Sequence, residues 1–165
     1  MLAIGIDPGT ATTGYGLVRD RDDGSLEVVD YGVVQTLPEL EMPERLLELF
    51  NKLKQILLLH QPQSGAVEKL FFQKNVKTAL TVGQARGVVL LSLAELGIPI
   101  SEYTPLEIKQ AVAGYGGADK NQVQQMVRVL LDLEDIPRPD DAADALAVAI
   151  CHLHTARFKA LYEGA

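Results

Sequence analysis

Three aspartates stand at the start of an apolar, helix-forming stretch near the end of the chain. Asp140, Asp141 and Asp144 lie in RPDDAADALAVAICHLH, residues 138–154. Residues three apart on a helix share a face, with β-carbons about 5–6 Å apart. Asp144 is flanked by alanines, and a buried ionised carboxylate is costly unless it is paired or binds a metal. The spacing favours a metal site at Asp141 and Asp144, although Asp141 alone would also suit a helix N-terminus. Asp140 is predicted to be the N-cap.

Two further acids occur where predicted strands end. Asp7 follows the apolar run LAIGI, and side chains at strand ends of α/β sheets meet ligands; a simple Asp-Pro-Gly turn is the alternative. Glu68 lies in GAVEKL, a run otherwise suited to burial, or it points outward at a sheet end. If these acids converge with the aspartates, cations are needed to offset their repulsion. Oxygen-only ligands favour Mg²⁺ or Mn²⁺ over Zn²⁺.

The nearby histidines and the single cysteine are not predicted to extend this site. His152 follows Asp144 by eight residues, about 12 Å along a helix at ~1.5 Å per residue, which is too far for a shared ion. His152 and His154 are predicted to lie at the C-terminal end of the last helix, where they favour its dipole. Cys151 is predicted to be a small core residue.

A basic segment follows Glu68. Residues 69–86 contain four Lys or Arg residues and no acid. Phe71 and Phe72 stand beside Lys74 there, and exposed aromatics beside bases suit stacking on unpaired nucleotides. Core packing is the alternative for either Phe, and a solvated face is the alternative for the bases.

The composition describes one folded domain. The chain has 165 residues, 47% hydrophobic and 22% charged, with a net charge of -7 that argues against a simple nucleic-acid-coating protein. One cysteine excludes an intrachain disulfide and favours a reducing compartment, so we expect the cytoplasm. The N-terminus lacks the basic region of a secretory signal, and we expect no membrane span.

The elements that must position the acids follow the order β-β-β-α-β-α-β-α-α-α. This order predicts an α/β protein with a mixed five-stranded sheet flanked by helices, and it is similar to the ribonuclease H-like fold. The paired glycines Gly14 and Gly16 predict a bulge or a close approach within the second strand. The predicted elements are strands LAIGID, TTGYGLVRD and LEVVDYGVVQT, a helix from Pro43 to His60, strand SGAVEKLFF, a helix over 77–96, a strand over 99–103, and helices opened by Thr104, Asp119 and Asp140.

Five motifs occur together in one order and cover the chain from its first strand to about residue 154. They are GIDPGTATTGYG, VEKLFFQKN, VGQARGVVL, IKQAVAGYGGADKNQVQQMV and DDAADALAVAICHLH. As a set they resemble the RuvC Holliday-junction resolvases, DNA endonucleases of the ribonuclease H-like fold. The resemblance implies a RuvC-like nuclease domain over 1–156 and a C-terminal tail over 157–165.

The resemblance also implies roles for single residues. The four acids that match the catalytic metal ligands are Asp7, Glu68, Asp141 and Asp144. Two Mg²⁺ per site are expected, with Mn²⁺ as a substitute. Lys109 and Lys120 match lysines that contact DNA or support catalysis; as lone residues, both also suit a solvated surface. The predicted DNA-binding residues are Phe71, Phe72, Lys74, Asn75, Lys77, Arg86, Lys109 and Lys120. Asp140 has no catalytic counterpart, because D-x-x-D spacing counted back from Asp144 selects Asp141.

The implied function is resolution of four-way DNA junctions by symmetric, metal-dependent phosphodiester hydrolysis during recombination and repair. A two-fold symmetric junction needs two active sites, so a homodimer is expected, working with the RuvA–RuvB branch-migration complex. The apolar second helix is the expected dimer element. An actin-like or sugar-kinase ATPase would need two lobes, and a non-catalytic junction-binding module would not need the acids. A nuclease of this fold acting on RNA or other branched DNA remains the alternative.

Overall fold

The computed structural model describes residues 1–69 and 75–163. Within them, strands and helices follow one another in the order that the sequence predicts. The strands are β1 (Leu2–Asp7), β2 (Thr12–Asp20), β3 (Leu26–Gln35), β4 (Ser64–Glu68) and β5 (Ile100–Tyr103). The helices are α1 (Met42–His60), α2 (Val76–Glu95), α3 (Pro105–Ala113), α4 (Lys120–Leu130) and α5 (Asp140–Glu163).

One mixed sheet joins the five strands in the order β3-β2-β1-β4-β5. The first three strands form an antiparallel meander, and β4 and β5 run parallel to the central β1. The predicted mixed five-stranded sheet is therefore confirmed. Because β1 and β4 are parallel neighbours, their carboxyl ends meet at one edge of the sheet.

Helices cover both faces of the sheet. Side chains alternate along a strand, so β1 turns Ile4 and Ile6 to one face and Ala3 to the other. Ile4 and Ile6 belong to a buried cluster with residues of α1 and α2, whereas Ala3 belongs to a cluster with residues of α3, α4 and α5. Of the described helices, none combines the length and apolarity needed to cross a membrane.

Local signals define several helix starts. Thr104 forms the capping box expected at the start of α3, and Asp119 caps α4 as predicted, also through a capping box. The predicted start of α1 at Pro43 is also close, since α1 begins at Met42. Strand β4 ends at Glu68, earlier than the SGAVEKLFF prediction.

The last helix is longer than predicted. Helix α5 continues to Glu163, so the predicted tail 157–165 begins inside it. The prediction that His152 and His154 lie at its C-terminal end is wrong, because two to three further turns follow them. Arg157 in this extension forms an ion pair with Asp20 at the end of β2, which ties the helix to the sheet.

Candidate active site

Two acids meet at the carboxyl ends of neighbouring strands. Asp7 is the last residue of β1, and Glu68 is the last residue of β4. The parallel register pairs Ile6 with Val67, so the next residues, Asp7 and Glu68, leave the sheet side by side. The strand-end position expected for both acids is therefore what the topology produces.

Glycine lets α5 bring its acids to the same edge. Gly14 is the antiparallel partner of Asp7 in the β1–β2 register. A β-carbon at Gly14 would lie 2.0 Å from the carbonyl oxygen of Asp141, which no real contact allows. The close approach predicted from the paired glycines is confirmed, and it places the first turn of α5 directly over Asp7.

Three carboxylates converge at this point. Asp7, Asp141 and Asp144 each offer an oxygen, and these oxygens all lie within 4.8 Å of one another. Glu68 lines an adjacent pocket of about 250 Å³ together with Asp144, Lys109 and Lys120. The four acids predicted from the sequence thus border one continuous site, with two lysines on its rim.

Burial, together with repulsion between neighbouring carboxylates, raises the pKa values of Asp7, Glu68 and Asp144. The pKa of Asp7 rises from 3.8 to about 7, chiefly through burial and then through the charges of Asp144, Asp141 and Glu68. Burial also raises the pKa of Glu68 and of Asp144. Without a cation, Asp7 therefore takes up a proton at a higher pH than an exposed aspartate does.

The donor set fits a hard divalent cation. Mg²⁺ binds oxygen ligands at about 2.0–2.1 Å, so oxygens on opposite sides of one ion lie roughly 4 Å apart. The separations of up to 4.8 Å among the three carboxylates require only small side-chain movements to match this spacing. Each of these carboxylates is energetically costly at its position without a partner, and a bound cation would offset that cost.

Lys120 and Lys109 supply positive charge beside the acids. The Nζ atom of Lys120 lies 3.3 Å from Oδ2 of Asp140 and 3.6 Å from Oδ2 of Asp144. The charge of Lys120 and its contact with Asp144 oppose the rise in the pKa of Asp144, and the charge of Lys109 opposes the rise in the pKa of Glu68. Both lysines therefore favour ionised carboxylates in the pocket.

A family model described as "Crossover junction endodeoxyribonuclease RuvC" matches residues 3–152. The chain belongs to the RuvC family. A RuvC from Chloroflexus aggregans is 63% identical to it over 156 residues, 94% of each chain. This membership makes the protein a nuclease and confirms the family predicted from the motifs.

Two solved structures of Thermus thermophilus RuvC share the architecture. One is 38% identical with a TM-score of 0.90 and covers 96% of this chain and 97% of its own. The other, in complex with a Holliday junction substrate, is 35% identical with a TM-score of 0.87 and covers 96% of each chain. The predicted ribonuclease H-like fold is confirmed.

The predicted N-cap role of Asp140 in this RuvC is wrong. Asp140 is the first residue of α5, and the carbonyl of Pro139 accepts the first helical hydrogen bonds, from the amides of Ala142 and Ala143 at 3.0 and 3.2 Å. Pro139 therefore occupies the cap position, one residue earlier than predicted. The Asp140 carboxylate is free to bind side chains, and Lys120 is the largest cause of its lowered pKa.

Sequence reasoning predicted none of the side chains that bind Asp140, which besides Lys120 are Gln124 and Arg138. Gln124 Nε2 donates to Asp140 Oδ1 at 3.2 Å, and Arg138 Nη1 donates to the same oxygen at 2.7 Å. Gln124 follows Lys120 by four residues, so both share one face of α4. The spacing of Lys120 and Gln124 could have predicted that both lie on one helix face. The packing of α4 against α5 could not be predicted from the local sequence.

The predicted DNA contacts are distributed unevenly. Asn75 is the N-cap of α2, with its side chain accepting from the amides of Lys77 and Thr78, and Lys77 is exposed. Arg86 forms an ion pair with Glu102 on β5, so its charge is partly satisfied inside the protein. Phe71, Phe72 and Lys74 lie outside the described residues.

His152 has an internal role that its predicted helix-end position did not suggest. Its Nδ1 lies 2.9 Å from the hydroxyl of Tyr103 on β5, and its Nε2 lies 2.9 Å from Oγ of Ser64 on β4. All three residues are buried. Burial lowers the pKa of His152, which favours the neutral ring. His152 therefore ties α5 to β4 and β5.

Proposed function

We propose that this RuvC resolves four-way DNA junctions by metal-dependent hydrolysis of phosphodiester bonds, with Asp7, Glu68, Asp141 and Asp144 as the catalytic metal ligands. The observation that carries the proposal is the convergence of three carboxylates within 4.8 Å, beside the pocket that Glu68 shares. A cluster of like charges at a sheet edge is costly and serves no packing purpose, whereas a cation site requires it.

Mg²⁺ is the proposed cofactor, two ions per site, with Mn²⁺ as a substitute. All four side chains offer oxygen only, which suits these hard cations. When bound, two such ions supply an activated water and stabilise the leaving oxygen of an in-line displacement. The protein supplies their ligands on rigid elements, since each acid stands at a strand end or on the first turns of α5.

The lysines on the pocket rim are proposed to hold the DNA backbone. Lys109 and Lys120 line the pocket with Glu68 and Asp144. A lysine ammonium is a compact point charge that binds phosphate, and phosphate contacts orient a nucleic acid without reading its sequence. Lys120 has 57% of its side chain exposed, so a phosphate can reach it. The proposed DNA contacts also include Asn75 and Lys77 at the start of α2, which follow residues 71–74 in the sequence.

The junction substrate and the homodimer complete the proposal. The Thermus relative bound to a Holliday junction supports the substrate, because it shares the fold over nearly the whole chain. Two symmetric cuts need two copies of the site. Helix α2 exposes Leu80 and Leu91 by 63% and 60%, and an exposed apolar surface supports its role as a dimer element. We place this activity in the cytoplasm, with RuvA–RuvB as the partner complex and residues 1–156 as the nuclease domain.

The test is cleavage of a synthetic four-way junction in Mg²⁺, beside a linear duplex of the same sequence. We expect paired, symmetric cuts in the junction and none at the same positions in the duplex. The matched variant is Asp144→Asn, which keeps the shape of the side chain and removes a ligand charge. It should bind the junction in EDTA and fail to cut it in Mg²⁺. Equal cutting of junction and duplex, or no cutting of either by a folded dimer, would contradict the proposal.

A further inference from the structure

Lys120 stands between two carboxylates that differ in their surroundings. Its Nζ lies 3.3 Å from Asp140 Oδ2 and 3.6 Å from Asp144 Oδ2. Asp144 belongs to the acid cluster with Asp7 and Asp141, and Asp140 does not belong to that cluster among the described residues. One lysine is therefore shared by a proposed metal ligand and by an acid outside the metal site.

Asp140 is held in place independently of Lys120. Its Oδ1 accepts hydrogen bonds from Arg138 Nη1 at 2.7 Å and from Gln124 Nε2 at 3.2 Å. These bonds occupy one carboxylate oxygen and leave Oδ2 for the lysine. Gln124 and Lys120 lie one turn apart on α4, so the same helix face supplies both contacts. Asp140 thus remains an acceptor for Lys120 whatever Asp144 does.

Cation binding at Asp144 changes the balance between the two carboxylates. A divalent ion on Asp144 repels the ammonium group of Lys120, and the Lys120–Asp144 contact opposes binding of that ion. Filling of the site therefore favours movement of Lys120 away from Asp144. The shorter contact to Asp140 shows where the ammonium can rest without leaving the rim of the pocket.

We propose that Asp140 is a positioning residue that retains Lys120 while Asp144 takes up a divalent cation. This inference rests on the proposed function, since it concerns the same cation site. By holding the ammonium, Asp140 reduces the competition between Lys120 and the cation for Asp144. It also keeps Lys120 at the pocket rim, where the DNA phosphate is proposed to lie. Asp140 touches neither cation nor DNA and acts only through Lys120.

The test is a double-mutant cycle on cation binding by the full chain. Mn²⁺ binding is measured by titration calorimetry and by the electron paramagnetic resonance signal of free Mn²⁺. The proteins are the wild type, Asp140→Asn, Lys120→Met and the double variant. We expect Asp140→Asn to raise the Kd for Mn²⁺ about two- to fivefold, the size of an exposed ion-pair effect. With Lys120→Met present, Asp140→Asn should have no further effect.

A simple charge effect predicts a different pattern. Asp140→Asn also removes one negative charge near the site, and that loss alone would weaken cation binding equally in both backgrounds. Equal changes in the two backgrounds, or no change in either, would overturn the proposal. Glu134→Gln, at an exposed acid on the preceding loop, is the matched charge control and should leave the Kd unchanged. Asp140→Glu keeps the charge and should restore most of the lost affinity.

Cleavage kinetics give a second readout that a general structural defect would not reproduce. For Asp140→Asn, the Mg²⁺ concentration at half-maximal cleavage should rise by the same factor as the Kd, and saturating Mg²⁺ should restore most of the rate. A reduced rate at saturation with an unchanged Mg²⁺ requirement would count against the positioning role. Failure of the proposed function gives a distinct result. In that case, the wild type and Asp144→Asn would show the same Mn²⁺ binding, or neither would bind Mn²⁺.

Discussion

Replacing Asp7 by asparagine tests the acid cluster without relying on cleavage. The pKa of Asp7 is raised from 3.8 to about 7 by burial and by three neighbouring carboxylates. The folded protein therefore holds this proton more tightly than the unfolded chain does. Stability from this group is present at low pH and is lost as pH rises between about 4 and 7. At about 1.36 kcal/mol per pKa unit, the loss reaches at most about 4 kcal/mol above pH 7.

Asparagine has the same shape as aspartate and does not ionise. Asp7→Asn should therefore not lose stability through this group as the pH rises. The difference in free energy of unfolding between Asp7→Asn and the wild type should grow from pH 4 to pH 7 and then stay constant. The assay is urea unfolding followed by circular dichroism, in EDTA, from pH 4 to 9. Asp22→Asn, at an exposed turn, is the control and should run parallel to the wild type.

Adding Mg²⁺ supplies the second half of this test. A cation that binds the ionised cluster of the folded state, and not the unfolded chain, stabilises the folded state by RT ln(1 + [Mg²⁺]/Kd). We expect Mg²⁺ at pH 8 to raise the free energy of unfolding of the wild type and to have a smaller effect on Asp7→Asn. Parallel pH profiles for the two proteins in EDTA would refute the reasoning, since Asp7 would then not titrate in this range.

Three further predictions concern the geometry and titration of the site. Gly14→Ala should cost about 1–3 kcal/mol of unfolding free energy and reduce cleavage, because its β-carbon would meet the backbone of Asp141; exposed Gly117→Ala, measured in the same urea assay, should be nearly neutral. His152→Leu should cost about 1–3 kcal/mol by leaving two buried hydroxyls unpaired, again measured by urea unfolding. The cleavage rate should rise with pH up to about 7, and its midpoint should fall as Mg²⁺ is increased in a pH–rate series, because protons and cations compete for the same oxygens.

Helix-face relations were predictable from the sequence because they depend on spacing alone. The D-x-x-D spacing placed Asp141 and Asp144 on one face, and the structure brings their oxygens together. The capping box at Thr104 and the helix cap at Asp119 were equally local predictions and are confirmed. Convergence with Asp7 depends on strand order and on the approach of α5, which are set by contacts between distant parts of the chain.

The two wrong predictions have different causes. Whether Asp140 caps α5 depends on which carbonyl accepts the first helical bond, and that bond goes to Pro139. Whether His152 ends α5 depends on how far the helix continues, and an ion pair between Arg157 and Asp20 ties the extension to the sheet. Partners more than a hundred residues apart give no local pattern.

The acid cluster couples stability to cation binding through contacts between backbones. Asp7 is the last residue of the central strand, and the carbonyl of Asp141 lies against Gly14, so the elements that carry the acids cannot separate without breaking the sheet–helix contact. The repulsion between the carboxylates therefore persists in the folded state until a bound cation offsets it. A variant that removes a proposed metal ligand with a raised pKa, such as Asp7 or Asp144, should then raise the free energy of unfolding in EDTA while lowering cation affinity. Asp140→Asn should lower cation affinity without that gain in stability, because Asp140 is paired with cations of the protein rather than opposed by neighbouring acids. Measurements of the free energy of unfolding and of cation affinity, which need no DNA, therefore distinguish a positioning residue from a ligand.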